Sequence, residues 1–170
     1  MGHVLEVDNV VKQYGKSKKD SGAATLALAG ASFFVDAGEF VAIMGPSGSG
    51  KSTLLNCIST IDTPTSGSIR VAGRDVTKMR GGELAKFRRD QLGFIFQDSN
   101  LLDTLTVREN ISLALTIQKK PTSEIPLMVD EIATRLGIAE ILEQYPYQIS
   151  GGQKQRAAAA RAVITKPSLI

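Results

Sequence analysis

Residues Gly45-Pro46-Ser47-Gly48-Ser49-Gly50-Lys51-Ser52 complete the pattern G-x-x-x-x-G-K-[ST]. That spacing suits one chemistry, the binding of phosphates. Glycines at 45, 48 and 50 let the backbone curl until successive N–H groups point inward at phosphate oxygens. A helix starting near Lys51 adds the positive end of its dipole. Lys51 then reaches the β- and γ-phosphates of a nucleotide, and the Ser52 hydroxyl ligates the Mg²⁺ that bridges them. Gly45, Ser47, Gly48, Ser49, Gly50, Lys51, Ser52 and Thr53 are therefore the candidate nucleotide-binding residues. The bland alternative is a Gly/Ser-rich turn ahead of a helix. It does not account for the full pattern between an apolar run and a helix.

A second segment, Ile149-Ser150-Gly151-Gly152-Gln153, puts Ser-Gly-Gly at the start of another helix. By the same reasoning it is a second phosphate cradle. Taken alone, an N-capping serine followed by two loop glycines explains it better.

These segments need elements to hold them. Val4 to Val11 and Leu26 to Val35 read as strands. Between them, Gly15 to Ala24 is a polar loop carrying Lys16, Lys18, Lys19 and Asp20. Asp36 to Glu39 is a turn. Phe40 to Met44 is a short apolar run, as expected of a strand buried on both faces. A helix follows over Ser52 to Ile61. Asp62 to Gly67, with Pro64, breaks the pattern. Ser68 to Ala72 fits a strand, Gly82 to Gln91 a polar helix and Leu92 to Phe96 an apolar strand. Helical spacing then covers Thr106 to Lys119, Ser123 to Leu136 and Ser150 to Ile164, and Thr106 with Glu109 has the form of a capping box. Lys166 to Ile170 reads as a turn entering one more buried strand.

The chain has 170 residues, 42% hydrophobic and 22% charged, enough for one globular domain. No apolar run approaches the roughly 20 residues that cross a bilayer, and no signal-peptide pattern opens the chain. A cytoplasmic location is expected. Cys57 is the one cysteine, which excludes an internal disulfide, and its apolar setting reads as a buried small hydrophobe. The net charge of +3 suits an anionic ligand and does not argue for nucleic acid. Arg88 and Arg89 read as a solvated helix face, Arg156 and Arg161 as partners for acidic neighbours, and His3 as part of a terminal tail.

In this order and at these spacings, the motifs resemble the nucleotide-binding subunit of ATP-binding cassette (ABC) transporters. The loop at 45–52 resembles that family's Walker A motif, and Ile149 to Gln153 its LSGGQ signature with Ile for the usual Leu. Gln97, after the run Leu92 to Phe96, matches the Q-loop glutamine, and Tyr14 the aromatic that stacks on adenine. Phe94 to Asp98, Asn100 to Leu102 and Leu105 to Asn110 resemble the macrolide-export and lipoprotein-release subgroup. Within it, the wording of Thr60 to Gly67 and Phe87 to Asp103 resembles the Gram-positive branch of bacitracin and antimicrobial-peptide resistance.

The resemblance implies an α/β fold: a P-loop NTPase (RecA-like) core with an antiparallel β subdomain and an α-helical subdomain. The expected division is a β-rich core over 1–97, a helical subdomain over 98–155 and a return to the core over 156–170. It implies ATP and Mg²⁺ as cofactors, with Ser52 and Gln97 at the metal. Two copies would face each other, so that Ser150, Gly151, Gly152 and Gln153 of one complete the ATP site of the other. Permease subunits would be the membrane partners and would hold the protein at the inner face of the membrane. Such ATPases continue into a Walker B strand with the water-activating carboxylate. The 170 residues alone are accordingly expected to bind nucleotide, to hydrolyse it poorly, and to be unstable or to associate. Two other readings are a soluble ABC-type ATPase acting on nucleic acid or ribosomes, and a non-catalytic nucleotide-binding module.

Overall fold

The computed structural model describes residues 2–15 and 24–170. The polar loop expected after Gly15 lies, over 16–23, outside the described residues. The chain divides into two compact units, one running up to Arg88 and including Leu169, the other comprising 89–168 and Ile170.

The first unit is built on four strands, Leu5–Tyr14 (β1), Thr25–Val35 (β2), Ser66–Val71 (β3) and Arg74–Asp75 (β4). Their order is β2-β1-β3-β4, and every neighbouring pair is antiparallel. Leu5, Val7 and Val10 on β1 are buried with Leu28 and Val35 of β2 and Ile69 and Val71 of β3. The register of β1 shifts between Val7 and Val10, where Asn9 takes φ 45° and donates its N–H to Ser32 Oγ. That bulge adds twist to the strand that ends at Tyr14.

Lys51–Ile58 forms α1, with Leu54, Cys57 and Ile58 turned inward. The helix stops because Thr60 adopts φ 62° and Asp62 N–H turns back onto the Asn56 carbonyl. A left-handed residue just past the last turn is how many helices end, although glycine usually fills the position. Gly81–Gln91 (α2) buries Phe87, with the Arg74 guanidinium 5.3 Å from its ring centroid.

The second unit is helical. Val107–Ile117 (α3), Ile125–Arg135 (α4) and Gly151–Val163 (α5) pack around Ile111, Leu115, Val129, Ala133, Ile138, Ala157 and Ala160. Thr106 caps α3 through the reciprocal bonds that its spacing to Glu109 predicts. Arg108 ties α3 to Asp130 of α4 and to Glu143. Asn110 is fully buried. Its amide nitrogen donates to the carbonyls of Leu102, Leu105 and Thr106, and its oxygen accepts Leu102 N–H.

Several expectations are corrected. Phe40 to Met44 forms no strand; Phe40 is 98% and Met44 88% exposed. Leu92 to Phe96 is irregular beyond a single bridge residue at Leu92. An apolar run reports a preference for burial, but a strand also needs a neighbour along its backbone groups; among the described residues, Phe40 to Met44 is in no strand pairing and Leu92 to Phe96 only in the bridge at Leu92. Arg88 is not a purely solvated side chain, since it donates to the Thr60 carbonyl at 3.0 Å. Arg89 lies against Asp90. His3 is no loose tail: its ring stacks on Phe34 at 4.0 Å, and its Nδ1 lies 2.6 Å from Asp36 Oδ1. Cys57 is buried and free, as read.

Thr60 combines a left-handed backbone with a buried hydroxyl that has no hydrogen-bond partner. A β-branched residue pays about 1–2 kcal/mol for that conformation. Thr60→Gly is therefore expected to raise stability by about 1 kcal/mol after the glycine entropy cost. Chemical denaturation of the two proteins measures it, and a loss of similar size would contradict the strain.

Candidate nucleotide-binding site

In the first unit the loop 45–50 leads directly into α1. Gly50 is the N-cap residue, at φ 89°, and offers no side chain to the first-turn amides. No acidic residue lies in that turn. The opening amides of a helix have no intrahelical partner, so the N–H groups of Lys51, Ser52 and Thr53 and the positive dipole end remain for an anion. Gly50 is also fixed by packing: a Cβ there would stand 2.4 Å from the Ala27 carbonyl oxygen of β2. The close approach seats the start of α1 against the sheet and sets where the amides aim.

Lys51 folds its ammonium back over the loop. Nζ donates to the carbonyls of Gly45 at 2.9 Å and Pro46 at 2.7 Å, and lies 3.4 Å from Ser49 Oγ. These are uncharged acceptors, weaker partners for an ammonium than the charge-assisted bonds an anion offers. Ser52 is the second residue of α1 and is exposed. Among the described residues there is no group of three or more His, Cys, Asp or Glu able to hold a metal ion. The Ser52 hydroxyl is a hard oxygen donor, of the kind Mg²⁺ takes beside phosphate oxygens and water.

Tyr14 ends β1 and is 42% exposed. Its phenol donates to Asp62 Oδ2 at 2.9 Å. Asp62 in turn bonds the Asn56 carbonyl of α1 through its N–H, which joins Tyr14 to the loop's own helix. Asp62 raises the phenol's pKa above its usual value, the hydrogen bond being the largest cause. Lys12 Nζ donates to Asp62 Oδ1 and to the Thr63 carbonyl, and lies 4.9 Å from the Tyr14 ring centroid. Chiefly through Lys12, the Asp62 carboxyl is held below the usual carboxylate range.

The second unit assembles the other motif. Ser150 caps α5: its hydroxyl accepts Gln153 N–H at 3.3 Å, and Gln153 Oε1 accepts Ser150 N–H at 2.9 Å. The serine is therefore an N-cap, the bland reading, and the hydroxyl hydrogen is left over to donate. Gly151 and Gly152 are exposed, and a Cβ on either would meet nothing closer than the flexible Arg156 guanidinium at 3.9 Å. Gln97 is exposed, and its carbonyl accepts from Gln155 Nε2 of α5. Arg161, also on α5, donates to the carbonyls of Ser99 and Asn100, not to an acidic neighbour as the sequence suggested. Burial lowers its pKa. Thus Gln97 and the Ser150 segment share one unit, while Ser52 and Tyr14 belong to the other.

Sequence reasoning missed Lys12, Asp62, Asn110 and Gln155, and gave Arg161 the wrong kind of partner. Asp62 fell in a stretch recognised only as a break. The available signal was an aspartate just past the phosphate-loop helix, able to pair with a lysine on the strand bearing the aromatic.

The ABC transporter family model matches residues 28–170. The chain belongs to the ABC transporter family. It is 52% identical over 168 residues, 98% of its length, to the bacitracin export ATP-binding protein BceA of Halalkalibacterium halodurans. It is 51% identical over 170 residues, 100% of its length, to the ABC transporter ATP-binding protein YxdL of Bacillus subtilis. The chain spans 64% of the length of each of these curated relatives. Among solved structures, a dimeric post-hydrolysis state of the ATP-binding cassette MJ0796 bound to ADP and Pi matches with TM-score 0.82 and 36% identity. That match covers 96% of this chain and 70% of the other. The fold is that of an ABC cassette, a mixed α/β P-loop NTPase fold with an antiparallel sheet. Among the described residues, no helix is long and apolar enough to cross a membrane.

Two outcomes follow from the packing and charge of the first unit. Gly50→Ala drives a methyl into a backbone carbonyl and is expected to cost several kcal/mol, about 3 or more. Gly48→Ala, at φ 80° with open space around it, costs only the left-handed conformation, about 1–2 kcal/mol. Equilibrium denaturation of both separates packing from dihedral strain. For Asp62, the folded pKa is depressed, so its stabilisation is present above the unfolded value of about 3.9 and is lost as pH falls through the lower folded value. Parent and Asp62→Asn stability curves should therefore differ at neutral pH and converge under acid. A gap that persists unchanged at low pH would contradict this.

Proposed function

We propose that the chain is the nucleotide-binding part of an ATP-driven transporter motor that exports or removes antimicrobial peptides or other amphipathic molecules. The observation that carries the reading is the uncapped start of α1 with Lys51 laid over the loop carbonyls. ATP is the ligand this arrangement suits, held at Gly45, Ser47, Gly48, Ser49, Gly50, Lys51, Ser52 and Thr53, with Tyr14 under the base. Ser52 and Gln97 are the residues that would hold Mg²⁺, which would supply charge neutralisation to the phosphates. The division into a core over 1–97, a helical subdomain over 98–155 and a returning segment over 156–170 belongs to the same reading.

Ser150, Gly151, Gly152 and Gln153 are the surface offered to the ATP of a second copy. The open space above both glycines supports this, because a backbone without side chains admits a phosphate to close range. The solved MJ0796 relative is dimeric, which supports a paired arrangement. Gln97 is tied to the signature helix through Gln155, so a change at Gln97 is transmitted to α5. Permease subunits are the partners, and they hold the protein at the inner face of the membrane. The name of the BceA relative supports bacitracin-like peptides as the substrate class.

The test is Lys51→Ala in the full-length protein. ATP binding by calorimetry is expected to weaken at least about a hundredfold, corresponding to loss of a multiply bonded charge. Cells carrying the variant are expected to be as sensitive to bacitracin as cells lacking the protein. Unchanged ATP affinity would overturn the phosphate assignment. Unchanged resistance with lost binding would overturn the transport reading.

A further inference from the structure

Tyr14 is held more firmly than a strand-end aromatic needs to be. Its hydroxyl is tied to Asp62 Oδ2 at 2.9 Å. The other carboxylate oxygen takes the Lys12 ammonium, which also donates to the Thr63 carbonyl at 2.7 Å. The same ammonium lies 4.9 Å from the Tyr14 ring centroid, so one face carries a cation. The Lys12 side chain is only 12% exposed, although it is a lysine on a strand. Asp62 is placed by the end of α1, through its N–H bond to the Asn56 carbonyl. The ring is therefore fixed at its hydroxyl end and covered on one face, while much of the residue stays open to solvent.

We propose that Asp62 and Lys12 are positioning residues that hold the Tyr14 ring as a preformed platform for the nucleotide base, and that they set the part of the affinity that depends on the base. The proposal rests on Tyr14 being the base-stacking aromatic. A platform already ordered by a hydrogen bond and a cation–π contact does not have to be immobilised when the nucleotide arrives. Lys12 on one face leaves the opposite face for a flat π-system. Both oxygens of Asp62 are engaged by Lys12 and Tyr14, so its part is to orient the ring. The end of α1 thus serves the base while its start serves the phosphates.

The experiment compares Mg-ATP with Mg-tripolyphosphate, which has the phosphates and no base, by calorimetry on the full-length protein. Tyr14→Ala is expected to weaken ATP about five- to a hundredfold and to leave tripolyphosphate unchanged. Asp62→Asn and Lys12→Met are expected to weaken ATP about three- to tenfold, again without effect on tripolyphosphate. In the Tyr14→Ala background neither should cost anything further. Tyr14→Phe keeps the ring and removes only the tether, so it should lose the same factor as Asp62→Asn. This guards against a variant that is merely misfolded. An equal loss for both ligands would show Asp62 to be only a structural turn and would overturn the proposal. Full ATP affinity in Asp62→Asn with a weakened Tyr14→Ala would overturn it and leave the nucleotide reading intact. No effect of Tyr14→Ala on ATP would remove the stacking role itself, and this proposal with it.

Discussion

The approach of Gly50 to the Ala27 carbonyl governs the first unit, because it fixes where a row of backbone amides points. A side chain at residue 50 would push α1 away from β2, since its Cβ would lie 2.4 Å from that oxygen. With hydrogen in that place, the helix starts against the sheet, uncapped by any side chain. Charge then follows from geometry. The first-turn amides and the dipole end favour an anion, and the Lys51 ammonium lies beside them on weak acceptors. Nothing acidic in the first turn offsets this.

The other end of the same helix carries a second constraint. Thr60 accepts an unfavourable dihedral, and the turn it makes brings Asp62 back toward β1. There Asp62 meets Lys12 and Tyr14. One eight-residue helix thereby connects an uncapped, anion-favouring start to an ordered aromatic at its end. The second unit uses a comparable economy. Gln155 and Arg161 on α5 hold the carbonyls of Gln97, Ser99 and Asn100, and Asn110 of α3 holds those of Leu102, Leu105 and Thr106. A loop without regular structure is thus fixed by side chains from two helices, and the helix begun by Ser150 is coupled to it.

The elements legible in the sequence were those with a local cause. The loop at 45–52 declares itself through glycine and lysine spacing, the capping box at Thr106 through Glu109 three residues on, and the start of α5 through the N-capping Ser150. The amphipathic helices of the second unit follow from their own periodicity. What was not legible depended on distant partners. Phe40 to Met44 and Leu92 to Phe96 have strand-like composition, but no short apolar run specifies the neighbour that would complete its backbone bonds. Likewise the Asp62–Tyr14 bond spans 48 positions and the Arg161–Ser99 bond 62, distances over which sequence pattern gives no register.

The central claim, that the start of α1 is the anion cradle, is tested most directly by amide resonances. In the full-length protein labelled with ¹⁵N-glycine and ¹⁵N-lysine, Mg-ATP is expected to shift the Gly48, Gly50 and Lys51 N–H signals downfield, as amides do when they bond phosphate. Glycines remote from the loop, such as Gly73 and Gly137, should stay in place. Saturating Mg-ATP that moves remote glycines while leaving Gly48, Gly50 and Lys51 unshifted would contradict it.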